Sequence, residues 1–291
     1  MKPIQLISRL SWLWIIPLLA IWFSLFLGNR PYATPDEGRY VEIPREMVVT
    51  GDYVTPRLNG VKYFEKPPLF YWIQAANIKI FGLHEWAMRL SCLLFGLVGC
   101  VATYLFGRRF YGPHVGLAAC IILATSPLYY ALSRLIILDM AVTTLLTLSL
   151  FSFLMTVYTP PAFQRRLWAW AFYGFSSLAV LTKGLMALAI SGPVILIWAL
   201  STGRWKDLWP AYIPSGALIF FAITAPWHIL ASIENPEFAH KYFIVEHFLR
   251  YTTSLHLRSQ HNLLLCTCFI AWLIPLGNPP LECHTRGSEI S

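Results

Sequence analysis

The chain has 291 residues, of which 57% are hydrophobic, 15% are aromatic and only 12% are charged. Ordinary soluble domains carry about 25% charged residues, so this composition excludes that class. The formal net charge of +8 could suit a nucleic acid, but the basic residues fall between apolar segments rather than in one patch. We therefore expect no nucleic-acid partner.

Apolar segments long enough to cross a bilayer recur along the chain. A hydrocarbon core of about 30 Å needs roughly 20 apolar residues per helix. We predict about eight membrane-spanning helices, near residues 10–28, 86–106, 114–132, 136–157, 167–181, 185–200, 211–231 and 262–277. The first segment is too long for a signal peptide and has no small-residue cleavage site, so we expect it to be retained. The fold class is an all-α polytopic membrane protein.

The basic residues predict the orientation of these helices. Pairs of Lys and Arg occur in every second connection, as Lys2/Arg9, Arg108/Arg109, Arg165/Arg166 and Arg204/Lys206. Cytoplasmic loops are enriched in such residues. We therefore expect a cytoplasmic N-terminus and an outward-facing first loop, residues 29–85.

The first outer loop concentrates charge in TPDEGRYVEIPREM, residues 34–47. Thr34 suits a helix N-cap and Glu37 follows at capping-box spacing. The helix would place Tyr40, Ile43 and Met47 on one side and would end at Gly51. A second helix is predicted over residues 66–82, and both would lie along the membrane surface. The alternative is a merely solvated loop with scattered ion pairs.

Isolated charges also occur near the outer ends of the predicted spans. Arg134 falls in a short outer turn, Asp139 about one turn into the next helix, and Lys183 between two apolar runs. Ionisable residues at membrane depth usually face a bundle interior or a cavity. Two alternatives are an Arg134–Asp139 ion pair and a Lys183 side chain that reaches the interface. If the charges converge, cations would suit a phosphate and carboxylates a sugar hydroxyl or a proton transfer.

The first outer loop resembles that of a known enzyme family. Its residues PDEGRYVEIPREMVVTGDYVTPRLNGVKYFEKPPLFYW are similar to the corresponding loop of bacterial polyprenyl-phosphate-sugar glycosyltransferases, the aminoarabinose lipid A transferases and relatives of the dolichyl-phosphate-mannose protein mannosyltransferases. The similarity continues through LATSPLYYALSRLIILDM, LAVLTKG and NPEFAHKYFIVEHFLRY. It implies a GT-C membrane fold in residues 1–260, a periplasmic site in the bacterial inner membrane and sugar transfer from a polyprenyl phosphate to a lipid, glycan or protein acceptor.

The resemblance also implies roles for individual residues. Asp36 and Asp139 match the two acids of the family's site and are the catalytic candidates. The resemblance adds Arg39, Tyr40, Lys66 and Lys183 as candidates for substrate binding, and the placement of Tyr63 among the charges of the outer loop and of Arg134 in the outer turn adds these two residues. Glu65 and His247 could bind a divalent cation, although no cofactor is expected to be required.

The resemblance ends near Gln260. Members of this family usually continue for hundreds of residues, so residues 261–291 are expected to be a divergent or truncated tail, with no stable structure over 278–291. A damaged reading frame or a natural short form would both produce this pattern. The competing function is a non-catalytic remnant that binds a polyprenyl phosphate without transferring sugar.

Overall fold

The computed structural model of the protein describes residues 3–205 and 212–249, and most of these residues are helical. The helices are α1 Pro3–Ser24, α2 Asp36–Thr50, α3 Leu69–Phe81, α4 Glu85–Tyr111, α5 Pro113–Thr125, α6 Pro127–Leu132, α7 Leu138–Tyr158, α8 Phe163–Lys183, α9 Met186–Thr202 and α10 Ile213–Glu234. Two short strands, β1 Arg57–Leu58 and β2 Val61–Lys62, lie between α2 and α3. A π-helix, His240–Leu249, follows α10.

Seven of the eight predicted spans coincide with helices, and the eighth, 262–277, lies outside the described residues. The span at 114–132 is divided into α5 and α6 because Pro127 has no N–H to continue α5 and begins α6 instead. By length and composition, α4, α7 and α10 could cross a membrane, and shorter apolar helices occur at Trp14–Ser24, Pro113–Thr125 and Met186–Thr202. The count of eight spans stays a prediction.

The helices pack as a bundle in which α7 lies against α8 and α4, while α10 lies against α8. Large apolar side chains on the outside of the bundle remain exposed, including Leu218 at 72% and Phe221 at 62%. Such a surface suits contact with lipid rather than with water. The helices α4 and α5 approach so closely that a Cβ atom on Gly116 would lie 2.6 Å from the backbone nitrogen of Arg108.

The two helices predicted in the first outer loop are present as α2 and α3. Gly51 ends α2 in the left-handed conformation, with φ of 75°, and Gly82 follows α3. Ile43 and Met47 are buried on one side of α2 against Tyr71, with Tyr40 beside them. The prediction of one apolar side for this helix is therefore confirmed.

The connection between α2 and α3 forms a hairpin that was not predicted from the sequence. Its strands pair in antiparallel fashion, with Arg57 opposite Lys62. Asn59 and Gly60 at the turn both have positive φ, 52° and 78°, as the two central residues of a type I′ turn require. The Asn-Gly dipeptide was the available signal for this hairpin.

The predicted capping box is wrong. The residue before α2 is Pro35, and no side chain caps the helix N-terminus. The Glu37 carboxylate instead binds Arg89 of α4 and the backbone N–H groups of Ala33 and Ile136. A cap contributes only about 1 kcal/mol, whereas an unpaired buried charge costs several kcal/mol, so Arg89 determines where Glu37 points.

Candidate functional site

The first turn of α2 presents an acid and a base to solvent. The Arg39 guanidinium lies 3.5 Å from an Asp36 carboxylate oxygen, and it donates a hydrogen bond of 3.2 Å to the Tyr63 hydroxyl. Asp36 is exposed, while Arg39 and Tyr63 are half-buried. Arg39 therefore connects the start of α2 to the residue that follows the hairpin, Tyr63.

The Tyr40 hydroxyl lies within electrostatic range of three carboxylates. The pKa of its hydroxyl is raised to about 12. Burial is the main cause, Arg39 lowers this pKa, and the negative charges of Asp139, Asp36 and Glu65 raise it. Three carboxylates from three segments of the chain therefore act on one half-buried phenol. At neutral pH Tyr40 is an uncharged hydroxyl that can donate a hydrogen bond.

The second acid is held by a lysine. The Lys183 ammonium at the end of α8 forms an ion pair with the Asp139 carboxylate in the first turn of α7. Lys183 is 19% exposed and Asp139 46% exposed, so the pair lies at an open edge of the bundle. The alternative, in which the Lys183 side chain only reaches toward the membrane interface, is wrong because its ammonium is paired with Asp139.

Two apolar clusters bring the outer loop to this pair. Val41 of α2 packs in one cluster with Leu138, the residue before Asp139. Phe64 of the hairpin packs in another cluster with Leu181, two residues before Lys183. The clusters therefore place the start of α2 near α7 and the segment containing Glu65 and Lys66 near the end of α8.

Glu65 and Lys66 are both half-buried between β2 and α3. Burial is the main cause of the raised pKa values of Tyr40 and Tyr63. The negative charge of Glu65 raises both pKa values further. The side chain of His247, the predicted metal partner of Glu65, lies outside the described residues. Within residues 14–205 and 212–246, no group of three or more His, Cys, Asp and Glu side chains could hold a metal ion.

Arg134 is not brought to Asp139. Its guanidinium donates hydrogen bonds to the Tyr130 hydroxyl and to the Leu25 carbonyl near the end of α1. The alternative of an Arg134–Asp139 ion pair is therefore wrong. The physical reason is helix packing, since α8 delivers Lys183 to Asp139 while Arg134 turns toward α1.

The role of Arg89 was not predicted from the sequence, and the predicted role of Glu37 as part of a capping box is wrong. Both side chains are almost fully buried, at 2% and 1% exposure, and they form an ion pair of 3.2 Å. The available signal was Arg89 itself, a base near the start of a predicted span, because such a residue needs an acidic partner.

Solved structures and curated proteins resemble this chain. The crystal structure of ArnT from Cupriavidus metallidurans bound to undecaprenyl phosphate superposes with a TM-score of 0.79 at 36% identity, over 84% of this chain and 46% of that one. The undecaprenyl phosphate-alpha-4-amino-4-deoxy-L-arabinose arabinosyl transferase 1 of Proteus mirabilis is 32% identical over 94% of this chain and 50% of the relative. The corresponding transferase of Edwardsiella ictaluri is 30% identical over 87% and 45%.

These comparisons establish the fold of the chain, the share of its relatives' length that it spans and its family. The GT-C fold predicted from the resemblance is confirmed by the match to ArnT, and the chain is a multi-pass membrane protein. It spans about half the length of the curated relatives it matches. The model of the dolichyl-phosphate-mannose-protein mannosyltransferase family matches residues 11–242, most of the chain, and the chain therefore belongs to this family.

Proposed function

We propose that the chain is a glycosyltransferase of the bacterial inner membrane that moves a sugar from a polyprenyl-phosphate donor to an acceptor at the periplasmic face. The acceptor would be lipid A, another glycan or a protein, and the N-terminus would be cytoplasmic. The observation that carries the proposal is that Asp36 and Asp139, which are paired with Arg39 and Lys183, both act electrostatically on the hydroxyl of Tyr40.

The donor chemistry suits this edge. A polyprenyl chain needs an apolar surface, which the outside of the bundle offers, and its phosphate needs cations. Arg39, Lys66 and Lys183 each lie two residues from a member of the two clusters, namely Val41, Phe64 and Leu181, and are the basic residues proposed to bind the phosphate. Arg39 and Lys183 are paired with carboxylates, so a donor phosphate would share or replace these partners when it binds.

The transfer is proposed to proceed with inversion of configuration at the anomeric carbon of the sugar. An acceptor oxygen forms the new bond to this carbon as the bond to the phosphate oxygen breaks, and the electron pair leaves with the lipid phosphate. Cations stabilise the charge that develops on the leaving phosphate. Asp36 would accept the proton of a hydroxyl acceptor; with a phosphate acceptor, which is already an anion, Asp36 would position groups instead.

No cofactor is required by this mechanism, and no step passes through a metal ion. If a divalent cation binds, Glu65 and His247 are the residues proposed to hold it. Its chemistry would be to neutralise phosphate charge.

The proposal is tested by measuring binding and transfer separately. The chain is expressed in membranes, and radiolabelled polyprenyl-phosphate sugar is supplied with candidate acceptors. Labelled acceptor supports the proposed enzyme. Donor binding without any labelled acceptor would support the competing function, a polyprenyl-phosphate-binding protein, and neither binding nor transfer would contradict both.

A further inference from the structure

Arg89 and Glu37 form a bidentate ion pair inside the protein. Arg89 Nε donates to one Glu37 carboxylate oxygen at 3.3 Å, and an Arg89 terminal nitrogen donates to the other at 3.2 Å. The two side chains come from α4 and α2. Two parallel N–H···O bonds fix the relative orientation of both groups, which a single contact would not do.

The remaining hydrogen bonds of Arg89 hold the connection between α1 and α2. One terminal nitrogen donates to the carbonyl oxygens of Leu27 and Arg30 at 3.0 and 2.7 Å, and the other donates to that of Pro31 at 3.1 Å. All three guanidinium nitrogens are therefore used. The chain that leads from the bundle into α2 is bound to a fixed point on α4.

The Glu37 carboxylate extends the same contacts to the segment just before α7. One oxygen accepts the backbone N–H of Ile136 at 3.1 Å. The other accepts the N–H of Ala33 at 2.7 Å and an Arg30 nitrogen at 2.9 Å. Glu37 directly follows Asp36, and Ile136 lies three residues before Asp139, so one hydrogen bond connects the residue next to the first acid to the segment that leads into the second.

We propose that the buried Glu37–Arg89 pair is a positioning unit, which sets the distance between Asp36 and Asp139 without touching the substrate. The inference rests on the proposed function. The acids belong to segments that are more than 100 residues apart in the chain, and an error of about 1 Å in such a constellation can cost roughly 100-fold in rate. A rigid buried connection between the two segments would prevent that error.

The test compares Glu37→Gln, Arg89→Lys and their double variant with Glu42→Gln. Glu42 also pairs with an arginine, Arg45, on α2, but that pair is partly exposed. Two readouts are used: kcat for sugar transfer per folded molecule, and amide hydrogen exchange at Ile136 and over residues 134–139. We expect each single variant to lose at least 10-fold in kcat with little change in KM for the donor, and to exchange the Ile136 amide at least 10-fold faster.

The double variant provides the decisive comparison. If the pair acts as one unit, the double variant loses no more kcat than the worse single variant, whereas independent effects would multiply. In a parent that transfers sugar, unchanged kcat in both single variants, or unchanged Ile136 exchange in both, would overturn the inference. If Glu37→Gln does not fold, Arg30→Gln removes one contact to the same carboxylate from a half-exposed side chain and should raise Ile136 exchange to a smaller extent.

The exchange readout separates this inference from the proposed function. A parent chain that transfers no sugar would contradict the proposed function, but faster Ile136 exchange in the variants would still support the connection between the two segments. A parent that transfers sugar, together with variants that keep their kcat, would contradict the positioning role alone.

Discussion

Lys183 at the end of α8 neutralises Asp139 in the first turn of α7, although 44 residues separate them. We expect Lys183→Met to reduce sugar transfer by roughly 100-fold or more, the scale of losing one group that stabilises developing charge. Asp139→Asn should reduce transfer as well. Initial rates with saturating donor measure both effects, and parent-like transfer by Lys183→Met would contradict the phosphate role of this lysine.

Stability offers a second readout of the same pair. Because Asp139 is nearly half exposed, each single substitution should lower the free energy of unfolding by only about 1 kcal/mol. The double variant Asp139→Asn/Lys183→Met should be no less stable than either single variant, because it leaves no charge without its partner. Thermal unfolding in detergent is measured for the parent, the two single variants and the double variant, which together form a double-mutant cycle.

Asp36→Asn tests the catalytic assignment of the first turn of α2. The substitution preserves size but removes the charge, and Asp36 makes no helix cap that it could disturb. We expect most sugar transfer to a hydroxyl acceptor to be lost while membrane level and thermal stability change little. Glu42→Gln in the same helix is the matched control and should transfer sugar at the parent rate. Equal rates for Asp36→Asn and parent would contradict a catalytic Asp36.

Local signals in the sequence predicted local structure. Gly51 predicted the end of α2, and Pro67, Pro68 and Gly82 within residues 66–82 predicted the two ends of α3, because proline and glycine change which backbone conformations are available. The length of apolar runs predicted the helices of the bundle. The Asn-Gly turn of the hairpin carried an equally local signal, so that miss was avoidable.

Charge pairing could not be predicted in the same way. Asp139 has a basic residue five positions away, Arg134, and another 44 positions away, Lys183, and it pairs with the distant one. Glu37 likewise binds Arg89, 52 residues away, rather than capping its own helix. Partner choice depends on which helices pack together, and that information is not contained in the spacing of the charges.

Gly116→Ala tests the close approach of α4 and α5. A Cβ atom there would lie 2.6 Å from the Arg108 backbone nitrogen and 2.7 Å from the Tyr104 carbonyl oxygen, so the helices must separate. We expect a loss of about 1–3 kcal/mol in the free energy of unfolding, read as a lower midpoint of thermal unfolding. Gly174→Ala is the control: nothing lies within 4 Å of its Cβ position, so this variant should be neutral or slightly more stable. Equal midpoints for Gly116→Ala and parent would contradict the tight helix contact.

The buried Glu37 carboxylate predicts a distinctive loss of stability in acid. Burial alone would raise its pKa, but hydrogen bonds from Arg89, Ala33 and Ile136 hold the pKa below the ordinary value of 4.5. A group whose pKa is lower in the folded state stabilises that state fully above its unfolded pKa, and this contribution disappears as pH falls through the folded value. The difference in thermal midpoint between parent and Glu37→Gln should therefore be constant from pH 7 to about pH 5 and should shrink below pH 4.5.

Salt distinguishes this buried carboxylate from an exposed one. Arg45 on the same helix lowers the pKa of Glu42 through a hydrogen-bonded ion pair, but the Glu42 and Arg45 side chains are 28% and 40% exposed. At 1 M salt the screening length falls to about 3 Å, so the stability difference between parent and Glu42→Gln should largely vanish at pH 7. The difference for Glu37→Gln should persist, because solvent ions do not reach a carboxylate that is 1% exposed. Equal salt sensitivity of the two differences would contradict the burial of the Glu37–Arg89 pair.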